Sequence, residues 1–353
     1  MAEITASMVK ELRERTGAGM MDCKNALVEA GGDQAKAAEV LEKKRKGRVE
    51  KAAGKIAADG AVVTALSADH TRGAIVEVNS QTDFVARGED FQTWSNHVAQ
   101  KALEARAGDI AALEAQTVDG KSLREIADHL TAKSGEKHAM RRVAYFETKP
   151  GEGVVTAYIH AGARLGVLFE LHTAKGATPE ARELADELAL QVAGSTGTRY
   201  VRREDVPADS LAHQKEIFGA QMKIEEEEAH AEVDAWKKRM EEEGAEHSEA
   251  VTQRLKDLEK KANGLTSRPQ ATRDKILEGK VATWLKESVL LDQISIRDSK
   301  KTIAQLLTEF SAKHGKTDVG RFARFELGEG IEKGPTKDFA TEVAEMAAAS
   351  QKQ

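Results

Sequence analysis

The sequence predicts an α+β fold, and three observations carry that reading. A β-hairpin followed by a helix occurs twice in the middle of the chain. Short helices punctuated by glycine precede the pair, and a long charged helical stretch is inserted after it. Val62-Val63-Thr64-Ala65, a turn, Gly73-Ala74-Ile75-Val76-Glu77 and a helix make the first copy. Val154-Val155-Thr156-Ala157, a turn, Gly166-Val167-Leu168-Phe169-Glu170 and a helix from about Pro179 make the second.

The elements follow in chain order. Residues 1–50 read as a three-helix module. Thr5 or Ser7 caps the first helix, Gly17-Ala18-Gly19 ends it, and a second helix runs from about Met20 to Ala30. After Gly31-Gly32-Asp33 a third continues to about Lys46, with Ala35, Ala38 and Leu41 on one face. A linker near 49–56 leads into a first α+β subdomain at 57–140, which takes in helices near 89–106 and 121–134. A second subdomain uses 141–210 and 276–334, and the alternating run Arg321-Phe322-Ala323-Arg324-Phe325-Glu326 supplies its last strand.

Between those halves lies 211–275. Residues 215–262 hold fourteen acidic and nine basic side chains. One apolar seam is expected at Ile217, Ala220, Ile224, Ala231 and Ala235, interrupted by Glu228. Another is expected at Val251, Leu255, Leu258, Ala262 and Leu265, and Gly244 separates the two. The pattern predicts an antiparallel coiled-coil hairpin. Phe339, Val343 and Met346 mark a C-terminal helical module at 335–353.

Composition narrows the function. The chain has 353 residues, 4% aromatic and 32% charged, so its core must be built from Ala, Val, Leu and Ile. A net charge of −6 argues against nucleic acid as the main partner, because phosphate binding needs clustered positive charge. Cys23 is the single cysteine. It excludes an intramolecular disulfide and a multi-cysteine zinc site, and it fits a reducing compartment. With neither a signal-peptide pattern nor a membrane-length apolar run, the chain is expected to be soluble and cytoplasmic. Metal-ligand spacing, a nucleophile elbow, a phosphate loop and a dinucleotide fingerprint are all missing from the sequence. No catalytic residue, metal or cofactor is therefore expected, and His160 is the one histidine in a suggestive context.

Two surface candidates stand out. The strand through Val76 and Val78 turns polar and delivers Thr82, Asp83, Phe84 and Val85 before a helix near Glu89. Pattern alone leaves open whether Phe84 caps the seam of that helix or points outward. Met20 and Met21 are adjacent on a helix, so their directions differ by about 100° and both cannot face the core of the small module. A flexible, polarizable side chain there suits an adaptable contact surface.

The decapeptide Glu77-Val78-Asn79-Ser80-Gln81-Thr82-Asp83-Phe84-Val85-Ala86 resembles a signature of the elongation factor Ts family. So does Leu12-Arg13-Glu14-Arg15-Thr16-Gly17-Ala18-Gly19-Met20-Met21-Asp22-Cys23-Lys24-Asn25-Ala26-Leu27, and the corner His160–Gly166 is also similar. The resemblance is weakest over 207–280. It implies a ubiquitin-associated-like fold for the N-terminal module. It also implies a guanine-nucleotide exchange factor for elongation factor Tu, with no catalytic chemistry of its own. By the same resemblance, Thr82, Asp83, Phe84 and Val85 disturb the partner's Mg²⁺ site. Arg13, Met20 and Met21 grip its GTPase domain, His160 and the second subdomain hold another domain, and the C-terminal helix adds a clamp. Some relatives dimerise through the hairpin, which leaves a homodimer open. Two other readings compete: a coiled-coil scaffold or adaptor without exchange activity, and an enzyme using His160 with a nearby carboxylate.

Overall fold

The computed structural model describes residues 4–243 and 249–332, and the expected C-terminal helix at 335–353 lies outside them. The described residues fall into two compact units, one built from 4–194 and 311–332 and the other from 195–310.

The first unit opens with α1 (Ala6–Thr16), α2 (Met20–Glu29) and α3 (Gln34–Ala53). Thr5 caps α1 by accepting the Met8 N–H, and Gly17 ends it at φ 70, a left-handed conformation that glycine adopts without a Cβ penalty. Asp33 caps α3 by accepting two backbone N–H groups. These bonds hold its carboxyl below the usual range, although the carboxyl is exposed. Val9, Leu12, Cys23, Ala26, Leu27, Ala37 and Leu41 form the module's core. α3 overruns its expected end near Lys46, so the linker expected at 49–56 is mostly helix. Gly47 costs about 1 kcal/mol inside a helix, but buried Ala52 and an Arg48–Asp22 ion pair at 3.0 Å hold the extension.

Next come β1 (Asp59–Leu66), β2 (Arg72–Ser80), α4 (Asp83–Ala86), α5 (Glu89–Glu104) and α6 (Ile110–Glu114). A two-residue ribbon, β3 (Thr117–Val118) and β4 (Lys121–Ser122), leads into α7 (Leu123–Ser134), which starts with a Ser122/Glu125 capping box. β5 (Ala139–Glu147) then returns to pair antiparallel with β2, giving the order β1-β2-β5. The expected division between 140 and 141 therefore cuts through a strand of the first sheet. The second sheet has β6 (Gly153–Ile159), β7 (Leu165–Thr173) and β8 (Thr317–Glu326) in the order β6-β7-β8, with α8 (Pro179–Gly194) packed on β6 and β7.

Alternation sorts the strands into two faces. Ala61, Ala74, Val76 and Val78 point to Phe91, Trp94 and Val98 of α5. Val62, Ile75 and Phe146 point to Val155 and Leu168 of the second sheet and to Leu327 just beyond it. The copies meet reciprocally. Val62 N–H donates to Ala163 O and Val155 N–H to His70 O, each at 2.7 Å. Arg142 stacks over Phe325 at 4.5 Å, and Arg321 over Phe146 at 4.3 Å. Approach is close because a Cβ on Gly73 would come within 2.7 Å of Leu168, and one on Gly166 within 2.6 Å of Val62.

The second unit is mainly helical. α9 (Ala208–Glu243) runs antiparallel to α10 (Glu249–Thr266), and its earlier half pairs with α11 (Gln270–Ser288) through a Glu226–Arg273 ion pair at 2.6 Å. Both α9 and α11 cross the limits expected for an insert at 211–275. Ala229 and Val233 of α9, with half-buried Trp236, pack on Leu255, Leu258, Ala262 and Leu265 of α10. The seam expected in α10 is thus present, whereas that of α9 is out of phase: Ile224, Ala231 and Ala235 are exposed, and Met222 is buried. Glu228 lies off the seam, exposed, and interrupts nothing. α12 (Ile303–His314) carries the chain back to β8.

Candidate functional site

The corner after β2 is built from the strand outward. β2 is the central strand of its sheet, paired on both edges, so its end is firmly placed. Glu77 is fully buried between the sheets. Its carboxylate accepts from Arg141 at 2.9 Å, Arg142 at 2.5 Å, Asn79 at 3.1 Å and the Gly328 N–H at 2.9 Å. Burial works against ionisation, but the Gly328 N–H, Asn79 and Arg142 outweigh it and hold the carboxyl below its usual range. Sequence reasoning overlooked Glu77 as a structural device. The arginine pair three residues into β5 was the available signal.

Beyond Ser80 the backbone closes one helical turn, α4. Thr82 caps it, accepting the Val85 N–H at 3.4 Å, and Ala86 is buried beneath. This turn puts Phe84 outside: the ring is 83% exposed. The alternative that left Phe84 on the seam of the next helix is excluded, because Phe91 and Trp94 occupy that seam. Asp83 is paired with Arg87 at 2.8 Å, and both are exposed, so the pair is worth about 0–1 kcal/mol and is readily given up. Val85 is half-buried.

Met20 and Met21 begin α2 and are 60% and 64% exposed, since Cys23, Ala26 and Leu27 take the inward positions. With Ile4, Val9, Lys10, Arg13 and Lys24 they line a groove of about 710 Å³. Arg13, Met20 and Met21 are thereby brought together. Phe84 and His160 do not line this groove. His160 is exposed at the turn between β6 and β7, with its Nδ1 3.1 Å from the Tyr158 hydroxyl. Among the described residues the His160 side chain pairs with Tyr158 and with no carboxylate, so the acid–base pairing of the enzyme reading is not assembled.

Among the described residues no group of three His, Cys, Asp or Glu side chains is placed to hold a metal ion, and no helix is long and apolar enough to cross a membrane.

Comparison with known proteins bears on these surfaces. A sequence profile described as elongation factor TS matches residues 81–329, a span that contains both the Thr82–Val85 corner and His160. Elongation factor Ts of Symbiobacterium thermophilum is 40% identical over 351 residues, covering 98% of this chain and 99% of the relative. The elongation factor Ts proteins of Thioalkalivibrio sulfidiphilus and Clostridium perfringens are 39% and 37% identical over 344 and 345 residues. They cover 98% and 97% of this chain, and 98% and 99% of their own lengths. With a matching profile over most of its length and relatives of this identity end to end, the chain belongs to the elongation factor Ts family.

Proposed function

We propose that this protein is a cytoplasmic translation elongation factor. It binds elongation factor Tu carrying GDP, disturbs the Mg²⁺ and phosphate site there, and promotes release of GDP and its exchange for GTP. It performs no covalent chemistry. One observation carries this reading: an almost fully exposed phenylalanine held on a capped turn at the end of a central strand. An exposed aromatic is costly to leave in water and suits a pocket on a partner.

GDP is held in such a GTPase mainly through its phosphates and a bound Mg²⁺. Phe84 wedges between partner helices near that site. Asp83 leaves its weak pair with Arg87 and competes in the polar network around the metal. Thr82 and Val85 set the turn. Coupling is reciprocal, so the factor weakens GDP as much as GDP weakens the factor. The groove of Met20, Met21 and Arg13 grips the GTPase domain, and its lining of apolar side chains and cations favours an apolar helix face flanked by acids. His160 and the second sheet contact a further domain, and the segment 335–353 adds a clamp. Linked contacts of this kind raise affinity through effective concentration.

The scaffold alternative is less well supported, because the apolar seam of α9 and α10 is filled within one chain. GDP release from elongation factor Tu, measured with catalytic amounts of this protein, tests the proposal. Release no faster than the spontaneous rate would leave the scaffold reading standing.

A further inference from the structure

The loop from α7 to β5 reaches the corner from 54 residues away in sequence. Both oxygens of Glu136 engage Thr82: the Thr82 N–H donates to Oε2 at 3.1 Å, and the hydroxyl donates to Oε1 at 2.9 Å. That hydroxyl also accepts the Val85 N–H that closes α4. A serine or threonine hydroxyl has one proton, and its rotor turns to suit its partners. With the proton committed to Glu136, a lone pair is aimed at Val85. The carboxylate therefore fixes the cap that fixes the turn.

Glu136 is itself held from two sides. Its N–H donates to Ser134 Oγ at 3.1 Å, and its carbonyl lies 2.9 Å from His138 Nδ1. His138 is buried against Phe91 and Trp94. The residues flanking it are tied to the N-terminal module: Lys55 donates to Gly135 O at 3.2 Å, Arg48 to Ala132 O at 3.2 Å, and Lys137 to Ala53 O at 2.9 Å. A cation of α3 and one just beyond it thus meet carbonyls at the end of α7, and a cation beyond α7 meets a carbonyl at the end of α3.

We propose that Glu136 is the positioning residue of the Phe84 turn. It holds Thr82 in the rotamer that closes α4, and the bonds between the ends of α3 and α7 tie the loop that carries Glu136 to the N-terminal module. The functional half of this proposal rests on the exchange reading above; the structural half does not.

The test uses the full chain with Glu136→Ala and Glu136→Gln. Two quantities are read: amide hydrogen exchange at Val85, Ala86 and Arg87 in the free protein, and the dependence of GDP release from elongation factor Tu on factor concentration. Glu136→Ala is expected to lower protection at those amides about tenfold, as loss of a charge-assisted hydrogen-bond pair implies, with β2 and α5 unchanged. The maximal release rate should fall about tenfold while the half-saturating concentration moves less than about threefold. Glu136→Gln, which keeps one acceptor oxygen, should fall between. Unchanged protection in both variants would overturn the structural half, and lost protection with an unchanged maximal rate would overturn the functional half. Should the unaltered protein fail to speed release, the exchange reading falls, while the protection measurements still decide whether Glu136 holds the turn.

Discussion

Phe84→Ala removes a ring whose surroundings define what its loss should do. With 83% of the residue exposed, roughly a sixth of a side chain of about 200 Å² is covered within the protein, or about 30 Å². At about 25 cal/mol per Å² this contributes below about 1 kcal/mol to folding, and even that is a ceiling. A core phenylalanine would cost about 3–5 kcal/mol. The exposed remainder, about 170 Å², offers about 4 kcal/mol when it enters a pocket on the partner, or close to three orders of magnitude in an equilibrium constant. Some of that is lost to fixing the side chain, so a decrease of at least about tenfold in catalysed GDP release is the expected result. Urea denaturation of the free variant and GDP release from elongation factor Tu measure the two quantities separately. A stability loss of several kcal/mol would show that the ring supports the fold, and unaltered release would remove it from the exchange mechanism.

Met20→Ala combined with Met21→Ala should weaken partner binding by at least about tenfold in titration calorimetry while the module's helicity is kept, because both side chains lie outside its core; unchanged affinity would take the groove out of the contact. Glu77→Gln should destabilise the first unit by about 3 kcal/mol, since two arginines lose their buried counter-charge. The Glu77 carboxyl titrates below its ordinary 4.5 when folded, so its stabilisation is complete above that value and is lost as pH falls through the folded value. Acid titration of Glu77→Gln should therefore be flatter below pH 4.5 than that of the parent, and an identical slope would contradict the assigned direction. Replacing 228–267 by a short Gly/Ser linker removes the whole α9–α10 seam but keeps the Glu226–Arg273 pair. Most exchange activity should survive, and its loss in a folded variant would mean that the hairpin touches the partner.

Much of this architecture is legible in the chain, and the places where legibility fails have physical causes. The two hairpins announce themselves through alternation and through Gly73 and Gly166. The strand β5 is not read from the sequence, because residues from 141 on are assigned to the second subdomain, whose copy is read as starting only at Val154. Yet Arg142-Val143-Ala144-Tyr145-Phe146-Glu147 and Arg321-Phe322-Ala323-Arg324-Phe325-Glu326 share the pattern Arg-x-Ala-x-Phe-Glu, and β5 and β8 play the same part in their sheets. The seam of α9 was misplaced because large Ile217 and Ile224 drew the phase, whereas α9 serves α11 first and α10 second, and its contacts follow both partners. Direction at the Phe84 corner is undecidable from pattern, since moving the start of the helical turn by two residues rotates a side chain by about 200° and reverses it. Glu136 left no local signal at all; only the folded loop brings it to Thr82.

On the exchange mechanism proposed above, the duplicated core explains why the corner can push. A wedge separates packed helices only if its base yields less than they do. The base of this one is the end of β2, and β2 is hydrogen-bonded on both sides. Each copy also borrows support from the other. The turn carbonyls of His70 and Ala163 are taken by Val155 and Val62 of the opposite copy, and the arginine–phenylalanine stacks cross between β5 and β8 in both directions. Glu77 and Glu170 sit at equivalent strand positions, and each faces an arginine of its neighbouring strand, Arg142 or Arg321, next to a bulge. What differs is the corner beyond. After β7 the chain passes through Ala174-Lys175-Gly176-Ala177-Thr178 to α8 with no aromatic, whereas after β2 it presents Phe84. On the same proposal, force on that ring passes into two interlocked sheets, while the second copy carries, at its hairpin turn, the separate exposed side chain of His160.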